Sequence, residues 1–299
     1  MQVRHLAGGE DLPPMSADEP RVSRAEALHV QVARHIRNEI EAGVLRDGET
    51  VASTRELAAQ WNVSVFTITE AMKVLAAEGL IENKSRSKRV VRAPEQPRAK
   101  GEIRLRSPRV LFVGGYAGSG KTELGRILAR LTGWPMLDKD TLTRPVLEAA
   151  LELLGMSPHD RESETYLNSM RPREYEALMA AANENVSCGN SAIVTAPFLR
   201  EFKDQAWLDR TEAAFAALNA QVTVVWVYCD ATSMHGYVRH RGAARDGFKL
   251  SDWKSYLATI DLDFRPPVPH RVINNCTSSA PLQKQAADLL AEITAGETV

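Results

Sequence analysis

The sequence has 299 residues, enough for two domains, and its 44% hydrophobic and 25% charged residues predict a packed globular protein. The formal net charge of −1 gives no indication of an acidic partner for the chain as a whole. Three scattered cysteines exclude a disulfide framework and a cysteine-based zinc site. The chain shows neither a signal-peptide pattern nor an apolar run of about 18 residues, so we expect a cytoplasmic protein with no membrane partner.

The first predicted elements are two helices. Val32, Ile36 and Ile40 recur at four-residue spacing, and Gly43 is typical of the residue that ends a helix. The stretch Ser53-Thr54-Arg55-Glu56 has the form of a capping box, in which the serine and the glutamate each accept a backbone N–H of the other. It predicts the start of a short second helix.

A third helix and a hairpin follow. Ser64 is placed to cap the helix, whose inner face is formed by Ile68, Ala71, Met72 and Leu75. Two short apolar strands then flank a polar tip, at Leu80-Ile81 and Val90-Val91. Three helices and a hairpin together indicate a winged helix-turn-helix.

The stretch from Leu28 to Val91 resembles the DNA-binding domain of GntR-family transcription regulators. The matching residues are Ile36-Arg37, Ile40, Gly43, Leu45, Gly48, Ser53, Arg55-Glu56-Leu57-Ala58, Val63-Ser64, Thr67-Ile68, Ala71, Leu75 and Glu78-Gly79-Leu80. The resemblance implies binding to double-stranded operator DNA, and helix-turn-helix proteins usually bind two half-sites as a homodimer. The candidate DNA contacts are Ser53, Thr54, Arg55, Ser64, Val65, Thr67, Arg86, Lys88 and Arg89.

Two departures from the family pattern bear on the operator. Val65 and Thr69 occupy places near the start of the recognition helix where the family usually carries basic residues. The wing tip, where a glycine is usual, reads Lys84-Ser85-Arg86-Ser87-Lys88-Arg89. We therefore expect an operator sequence unlike that of a typical family member, and a shift of contact strength from the helix to the wing.

The wing and the residues after it form a basic segment. From Lys84 to Arg106 there are nine basic residues, opposed only by Glu95 and Glu102, which gives a net charge of +7. Such a segment suits phosphate contacts whose affinity falls steeply as salt rises. The alternative is a solvated linker, as charge runs usually are.

These patterns predict four segments along the chain: a flexible tail at 1–22, a winged helix-turn-helix domain at 23–92, a linker at 93–107 and a second domain at 108–299. The tail is rich in glycine, proline and acidic residues. The linker is bracketed by prolines, and its length of about 15 residues would let the two domains move relative to each other.

The second domain begins with Gly115-Tyr116-Ala117-Gly118-Ser119-Gly120-Lys121-Thr122, which fits the Walker A pattern at every fixed position. An apolar run precedes this loop and a helical pattern follows it, as phosphate binding requires. The candidate ATP-binding residues are Gly115, Gly118, Ser119, Gly120, Lys121 and Thr122. Lys121 would reach the β- and γ-phosphates, and the Thr122 hydroxyl would be a Mg²⁺ ligand.

Apolar runs alternate with helical segments through the rest of the domain, at 110–113, 135–137, 192–196, 222–229 and 272–273. This alternation predicts a P-loop NTPase fold, an α/β domain whose parallel sheet carries helices on both faces, behind the smaller α+β winged helix. Ligands of such sheets bind at the carboxyl ends of strands, where the glycine loop, Asp138 and Thr195 are expected.

The glycine loop and the following Leu137-Asp138-Lys139-Asp140 resemble small-molecule P-loop kinases, a group that includes shikimate kinase, chloramphenicol phosphotransferase and the zeta-toxin-like AAA-type kinases. The resemblance implies that Asp138 helps hold Mg²⁺ and that Asp140 accepts the proton of the attacking hydroxyl. Both acids could instead be ordinary capping residues between a strand and a helix. No Walker B acid lies near Thr195, which weakens an ATPase-motor interpretation.

Arg241 and Arg245 follow the fourth predicted strand, where the kinase group places a mobile lid. The resemblance implies that this pair, spaced for one helical face, neutralises charge on the transferring phosphoryl group. A solvated basic helix is the alternative. The histidines His235, His240 and His270 lack metal-ligand spacing and are interpreted as structural or exposed.

Two functions from different classes fit these features. The first is a transcription regulator whose second domain binds ATP, and a small ligand, to modulate operator binding. The second is an active ATP-dependent kinase for a small hydroxylated metabolite, which also carries a DNA-binding domain. Nothing in the sequence identifies the acceptor hydroxyl.

Overall fold

The computed structural model describes residues 27–84, 88–93, 105–241 and 246–295. The predicted site residues Arg86 and Arg245 lie outside these ranges, as does the side chain of Arg241. The predicted tail at 1–22 and most of the predicted linker are outside them too. Within the described ranges, no helix combines the length and apolar character needed to span a bilayer.

The first unit consists of three helices and a two-stranded wing. Its helices are α1 (Leu28–Glu41), α2 (Thr54–Trp61) and α3 (Val65–Ala77), and its strands are β1 (Ile81–Asn83) and β2 (Arg89–Val91), which pair antiparallel. Their apolar faces enclose one core, which includes Val32, Ile36, Ile40, Leu57, Ile68, Ala71, Met72, Leu75, Ile81 and Val91. The predicted winged helix-turn-helix is confirmed.

Side-chain caps determine where α2 and α3 begin. The N–H of Glu56 donates to Ser53 Oγ at 3.2 Å, and the N–H of Ser53 donates to the Glu56 carboxylate at 2.8 Å, so the predicted capping box is formed. At the start of α3, Ser64 Oγ accepts the N–H of Thr67 at 3.0 Å. Each such cap stabilises its helix by about 1 kcal/mol.

The second unit is built on a five-stranded parallel sheet with the order β4-β5-β3-β6-β7. The strands are β3 (Arg109–Gly114), β4 (Met136–Asp138), β5 (Ala192–Thr195), β6 (Gln221–Tyr228) and β7 (His270–Asn274). The helices are α4 (Lys121–Thr132), α5 (Lys139–Leu153), α6 (Arg171–Ser187), α7 (Gln205–Ala216), α8 (Ala231–Arg241), α9 (Gly247–Ser251), α10 (Trp253–Ala258) and α11 (Leu282–Ile293). One π-helical turn, Tyr166–Met170, leads into α6.

Helices cover both faces of this sheet. Alternate side chains of a strand point to opposite faces, so Val110 and Phe112 of β3 pack with α6 and α7, whereas Leu111 and Val113 pack with α4 and α11. Burial on both sides explains why the strands are continuous apolar runs. From β3 the chain passes to the edge strand β4 and later crosses to β6 on the other side, so the strand order reverses at β3, where sheets of this type bind ligands.

The two units contact each other directly. Ala42, which follows α1, is buried within the core cluster of α4 and α11. Gly43 has a φ of 70°, and any Cβ at this position would collide with the guanidinium of Arg130 on α4. Glycine at this position therefore ends α1 in the left-handed conformation, and the Arg130 side chain of the second unit packs against it.

Candidate functional site

The predicted phosphate-binding loop connects the central strand β3 to helix α4. Gly118 and Gly120 have φ angles of 79° and 95°, in the left-handed region that favours glycine. A Cβ on Gly118 would lie 2.5 Å from Val238 Cγ2, and one on Gly120 would collide with the side-chain amide of Asn275. Both positions therefore require glycine for backbone conformation and for packing.

The polar groups of the loop fit a bound phosphate. Helix α4 begins at Lys121, and no side chain of the described residues caps its N-terminus. Ser119 Oγ is buried and has no hydrogen-bond partner in the described part of the chain. Lys121 Nζ donates to the carbonyl oxygen of Tyr116 at 2.9 Å, which holds the ammonium group beside the loop. Open backbone N–H groups at a helix start, with a lysine beside them, attract phosphate oxygens.

The loop is tied to the ends of two other strands. Asn275, directly after β7, donates from Nδ2 to the carbonyl oxygen of Ser119 at 3.0 Å. On the other side, Thr195 at the end of β5 donates from Oγ1 to Asp138 Oδ2 at 2.7 Å, where β4 ends. The carboxyl ends of the strands therefore meet around the phosphate loop, as the sequence predicts.

The two candidate carboxylates differ in their surroundings. Asp138 caps α5, because its Oδ1 accepts the N–H of Thr141 at 2.9 Å while Oδ2 accepts from Thr195. Asp140 lies in the first turn of α5, partly exposed, with a carboxylate oxygen 2.9 Å from Lys139 Nζ. Asp138 therefore caps α5 and also bonds to the end of β5, whereas the Asp140 side chain is 37% exposed.

A buried ion pair next to these acids was missed by the sequence analysis. Lys139, between the two aspartates, is buried and donates to Glu174 of α6 at 2.7 Å. Tyr166 donates to the other oxygen of Glu174 at 2.8 Å. Burial and the charge of Glu174 raise the pKa of Tyr166 far above its ordinary range, so its hydroxyl remains a donor. This network anchors the start of α5 and hence the position of Asp140.

A cavity of about 560 Å³ lies above the phosphate loop. Ligand pockets usually measure about 300–1,000 Å³, so the cavity suits a nucleotide or a nucleotide with a small acceptor. Six of the predicted site residues line it and so share one space: Gly118, Gly120, Lys121, Thr122, Asp138 and Asp140. Its wall also contains two exposed arginines that the sequence analysis did not single out, Arg126 and Arg144.

Each of the two structural units matches a known protein family. Residues 28–91 match the family of bacterial regulatory proteins, gntR family, and residues 110–262 match the AAA domain family. The second match covers more than half of the chain. The chain belongs to the AAA domain family. Its first unit is a GntR-type helix-turn-helix domain, and we refer to the two units as the GntR domain and the AAA domain.

Two curated proteins are similar to separate parts of the chain. A shikimate kinase of Moorella thermoacetica is 34% identical over 104 residues, which cover 33% of this chain and 58% of that protein. The transcriptional regulator SmoD of Agrobacterium fabrum is 32% identical over 72 residues, which cover 24% of this chain and 31% of that protein. The chain thus spans well under two thirds of the length of each relative.

Two kinases are among the solved structures that are similar to the chain. A putative kinase from Chloroflexus aurantiacus is 15% identical with a TM-score of 0.46, covering 64% of this chain and 98% of that one. A gluconokinase from Sinorhizobium meliloti is 17% identical with a TM-score of 0.40, covering 64% of this chain and 94% of that one.

The candidate DNA contacts that the structure describes lie around the starts of α2 and α3 and in the wing. Ser53, Arg55, Ser64 and Val65 are exposed around the starts of α2 and α3, Thr54 and Thr67 are half-buried between them, and Lys88 and Arg89 belong to the wing. The next residue of the recognition helix, Phe66, has 72% of its surface exposed. The start of α3 is therefore open to solvent while the GntR domain is docked on the AAA domain.

Glu82, which lies just before the basic segment 84–106, partly neutralises the positive charge of the wing. Glu82 of β1 accepts from Lys84 Nζ at 2.9 Å and from Arg92 Nε at 2.7 Å. Because both cations pair with one carboxylate, they add less to the wing potential than the count of nine basic residues suggests.

One face of α1 contributes buried side chains to the junction between the domains. The guanidinium of Arg34, buried at 4% exposure, donates to the carbonyl oxygens of Thr277 and Ser279 in the turn after β7. That turn directly follows Asn275, which holds the phosphate loop. The DNA-binding domain is thus linked to the loop through one short segment of the AAA domain.

Two histidines and a glutamate continue this junction. Glu39 of α1 lies 3.3 Å from His35 Nε2 and 3.3 Å from His240 Nε2 of α8. Burial alone would raise the pKa of Glu39, but hydrogen bonds from His240 and His35 outweigh it and hold the pKa at about 2. Burial lowers the pKa of His240 despite its bond to Glu39. The His240 side chain is 7% exposed, so of the two predicted alternatives, structural or exposed, the exposed one is excluded.

Proposed function

We propose that the protein is a DNA-binding transcription regulator whose AAA domain binds ATP with Mg²⁺ and thereby changes its affinity for operator DNA. One observation carries this proposal: the cavity above the phosphate loop is lined by both domains. His35, Asn38 and Glu39 of α1 face the same space as Lys121 and Thr122. A nucleotide bound at the loop would therefore lie against the first helix of the DNA-binding domain.

Nucleotide binding is supported by the residues of the loop. The glycine cradle, the uncapped start of α4 and the buried Ser119 hydroxyl fit the phosphates, and Lys121 would neutralise their charge. Thr122 and Asp138 are the residues that would hold Mg²⁺, whose charge helps neutralise the phosphates when it is bound. Thr122 lies in the first turn of α4, and Asp138 shares the cavity with it.

The exposed start of α3 supports regulation by a change in the orientation of the GntR domain relative to the AAA domain. The start of α3 stays exposed in the docked arrangement, so docking leaves this part of the recognition helix open to DNA. In a homodimer on an inverted repeat, the angle between GntR and AAA domains would set the distance between the two recognition helices. A ligand that binds the docked state more tightly than the undocked state would shift the equilibrium between the two states by that difference in binding free energy.

A second function, phosphoryl transfer to a small hydroxylated metabolite, is supported by the chemistry of the same cavity. Asp140 is accessible there and is held by the buried Lys139–Glu174 pair, so it could accept a proton from an incoming hydroxyl. Arg126 and Arg144 add positive charge to the wall. Arg241, at the end of α8, and Arg245 remain the predicted lid arginines.

One titration tests both functions. The full chain is titrated onto DNA from upstream of its own coding sequence, with and without ATP and Mg²⁺, and phosphate release is measured in the same samples. We expect ATP to change the dissociation constant of specific DNA by about 5- to 150-fold, the usual range of allosteric coupling. Equal affinities, in a protein that binds both ligands, would contradict ATP-dependent regulation. Turnover without any change in DNA affinity would favour the kinase.

A further inference from the structure

The junction brings together three side chains that are typical ligands of a transition metal. His35 and Glu39 lie one turn apart on the same face of α1, and His240 reaches them from α8 of the other domain. One potential ligand atom from each residue lies within 4.8 Å of the other two. The group is assembled from positions about 200 residues apart, which is why its spacing in the sequence gives no indication of a metal site.

Two of the three distances within this group match a tetrahedral centre, and the third is within 4.8 Å. Zinc binds imidazole nitrogen and carboxylate oxygen at about 2.0–2.1 Å, so two ligand atoms on one tetrahedron are about 3.3 Å apart. The carboxylate oxygen of Glu39 lies 3.3 Å from the Nε2 atom of each histidine. Two edges of such a tetrahedron are therefore already formed by the side chains.

Aromatic rings hold the two imidazoles in place. Trp61 of α2 stacks on His240 with ring centroids 4.0 Å apart, and Tyr237 stacks on His35 at 5.2 Å. The side chains of His35, Glu39 and His240 are only 12%, 21% and 7% exposed. A site with ligands this well enclosed loses little conformational entropy when a cation binds, because the side chains are already ordered.

We propose that His35, Glu39 and His240 bind a transition-metal cation, with Zn²⁺ the best fit, at the junction between the two domains. Two imidazoles and one carboxylate suit Zn²⁺ better than Mg²⁺ or Ca²⁺, which prefer oxygen ligands only. All three residues also line the cavity of the phosphate loop, so the fourth coordination position would open toward that cavity.

The cation would act as a clamp between the domains. Two ligands come from the GntR domain and one from the AAA domain, so a complete site exists only while the domains are docked. A cation that binds only the docked state stabilises it by mass action. This proposal does not depend on nucleotide binding, because none of the three ligands belongs to the phosphate loop.

Metal binding is tested on the full chain after removal of metals with a chelator. Zn²⁺ is titrated in competition with a chromogenic chelator, and Co²⁺ is used as a spectroscopic probe, since tetrahedral Co²⁺ absorbs strongly in the visible. We expect one equivalent of each metal to bind and Zn²⁺ to raise the melting temperature. His240→Gln should weaken Zn²⁺ binding at least ~100-fold, the upper end of what loss of an outer-shell partner costs.

The matched control is His235→Gln, which makes the same change on the same helix. His235 packs against Trp253, with ring centroids 4.7 Å apart, and takes no part in the cluster. Glu39→Gln keeps the size of the side chain and tests the site if His240→Gln fails to fold. Folded wild-type protein that binds no Zn²⁺ at micromolar concentration would overturn the proposal. Unchanged Zn²⁺ affinity in either ligand variant would also overturn it. ATP affinity, measured in parallel, reports separately on the proposed function.

Discussion

The phosphate loop and the domain junction are neighbouring sites built in opposite ways. The loop is eight consecutive residues, 115–122, whose backbone conformation depends on glycines. The junction is assembled from α1, α2, α8 and the turn after β7, and Arg34 bonds to carbonyl oxygens 243 and 245 positions away. A site of the first kind is specified by local sequence, whereas a site of the second kind exists only once both domains are packed.

The largest effect is expected from Asp140→Asn, in the cavity of the phosphate loop. If the AAA domain transfers phosphoryl groups, the change removes the proton acceptor but keeps size and hydrogen bonding. Loss of a general base typically costs about 10²- to 10⁴-fold in rate. The measurement is phosphoryl transfer from ATP in a screen of hydroxylated metabolites, with ATP affinity measured by calorimetry. Full activity in the variant would move the role to Asp138.

Lys121→Ala should give the next largest effect. Losing a charged contact to the β- and γ-phosphates costs about 2–4 kcal/mol, which is about 30- to 900-fold in ATP affinity. Lys284→Ala is the matched control, since Lys284 pairs with Asp288 at 2.7 Å on α11, outside the cavity. Equal ATP affinity in wild type and Lys121→Ala, by calorimetry, would refute the assignment of the loop itself.

The contrast between the two sites also explains what the sequence could predict. Walker A, the capping box at Ser53 and the alternation of strands and helices depend on residues close in the chain, so pattern alone reveals them. The burial of Lys139 with Glu174 and the pairing of Glu82 with two wing cations depend on which side chains meet in the folded protein. A lysine between two aspartates reads as exposed until its partner, 35 residues away, is known.

Arg34→Met tests whether the junction carries the coupling. The change keeps an apolar stem but removes the hydrogen bonds to Thr277 and Ser279. We expect the ATP effect on operator affinity to fall from about 5- to 150-fold to less than about twofold, while ATP still binds. Linkage requires the effect of operator DNA on ATP affinity to fall equally, which gives a second measurement of the same quantity.

The control for this prediction lies one turn along the same helix. Arg37 pairs with Glu78 within the GntR domain at 2.8 Å, so Arg37→Met makes the same substitution without touching the junction. It should leave the coupling unchanged. Equal coupling in Arg34→Met and wild type would mean that the two sites communicate by a route other than α1, and that the junction only holds the domains together.

The smallest effect is expected at the wing. There the count of basic residues in the sequence overstates the positive charge available to DNA phosphates. Each phosphate contact adds about 0.9 to the slope of log affinity against log salt. Changing Arg86, Lys88 and Arg89 to Ala should therefore flatten the slope by about 2 to 3 and weaken binding to all DNA sequences alike. Changing Lys84 and Arg92 to Ala should flatten it by less than about 1, because Glu82 already pairs with both cations.

Gel-shift titrations on operator and random DNA at several salt concentrations measure these slopes. Equal flattening per residue in the two variants would show that Glu82 releases its partners on DNA, and an unchanged slope in the triple variant would rule out the wing as a phosphate-binding surface.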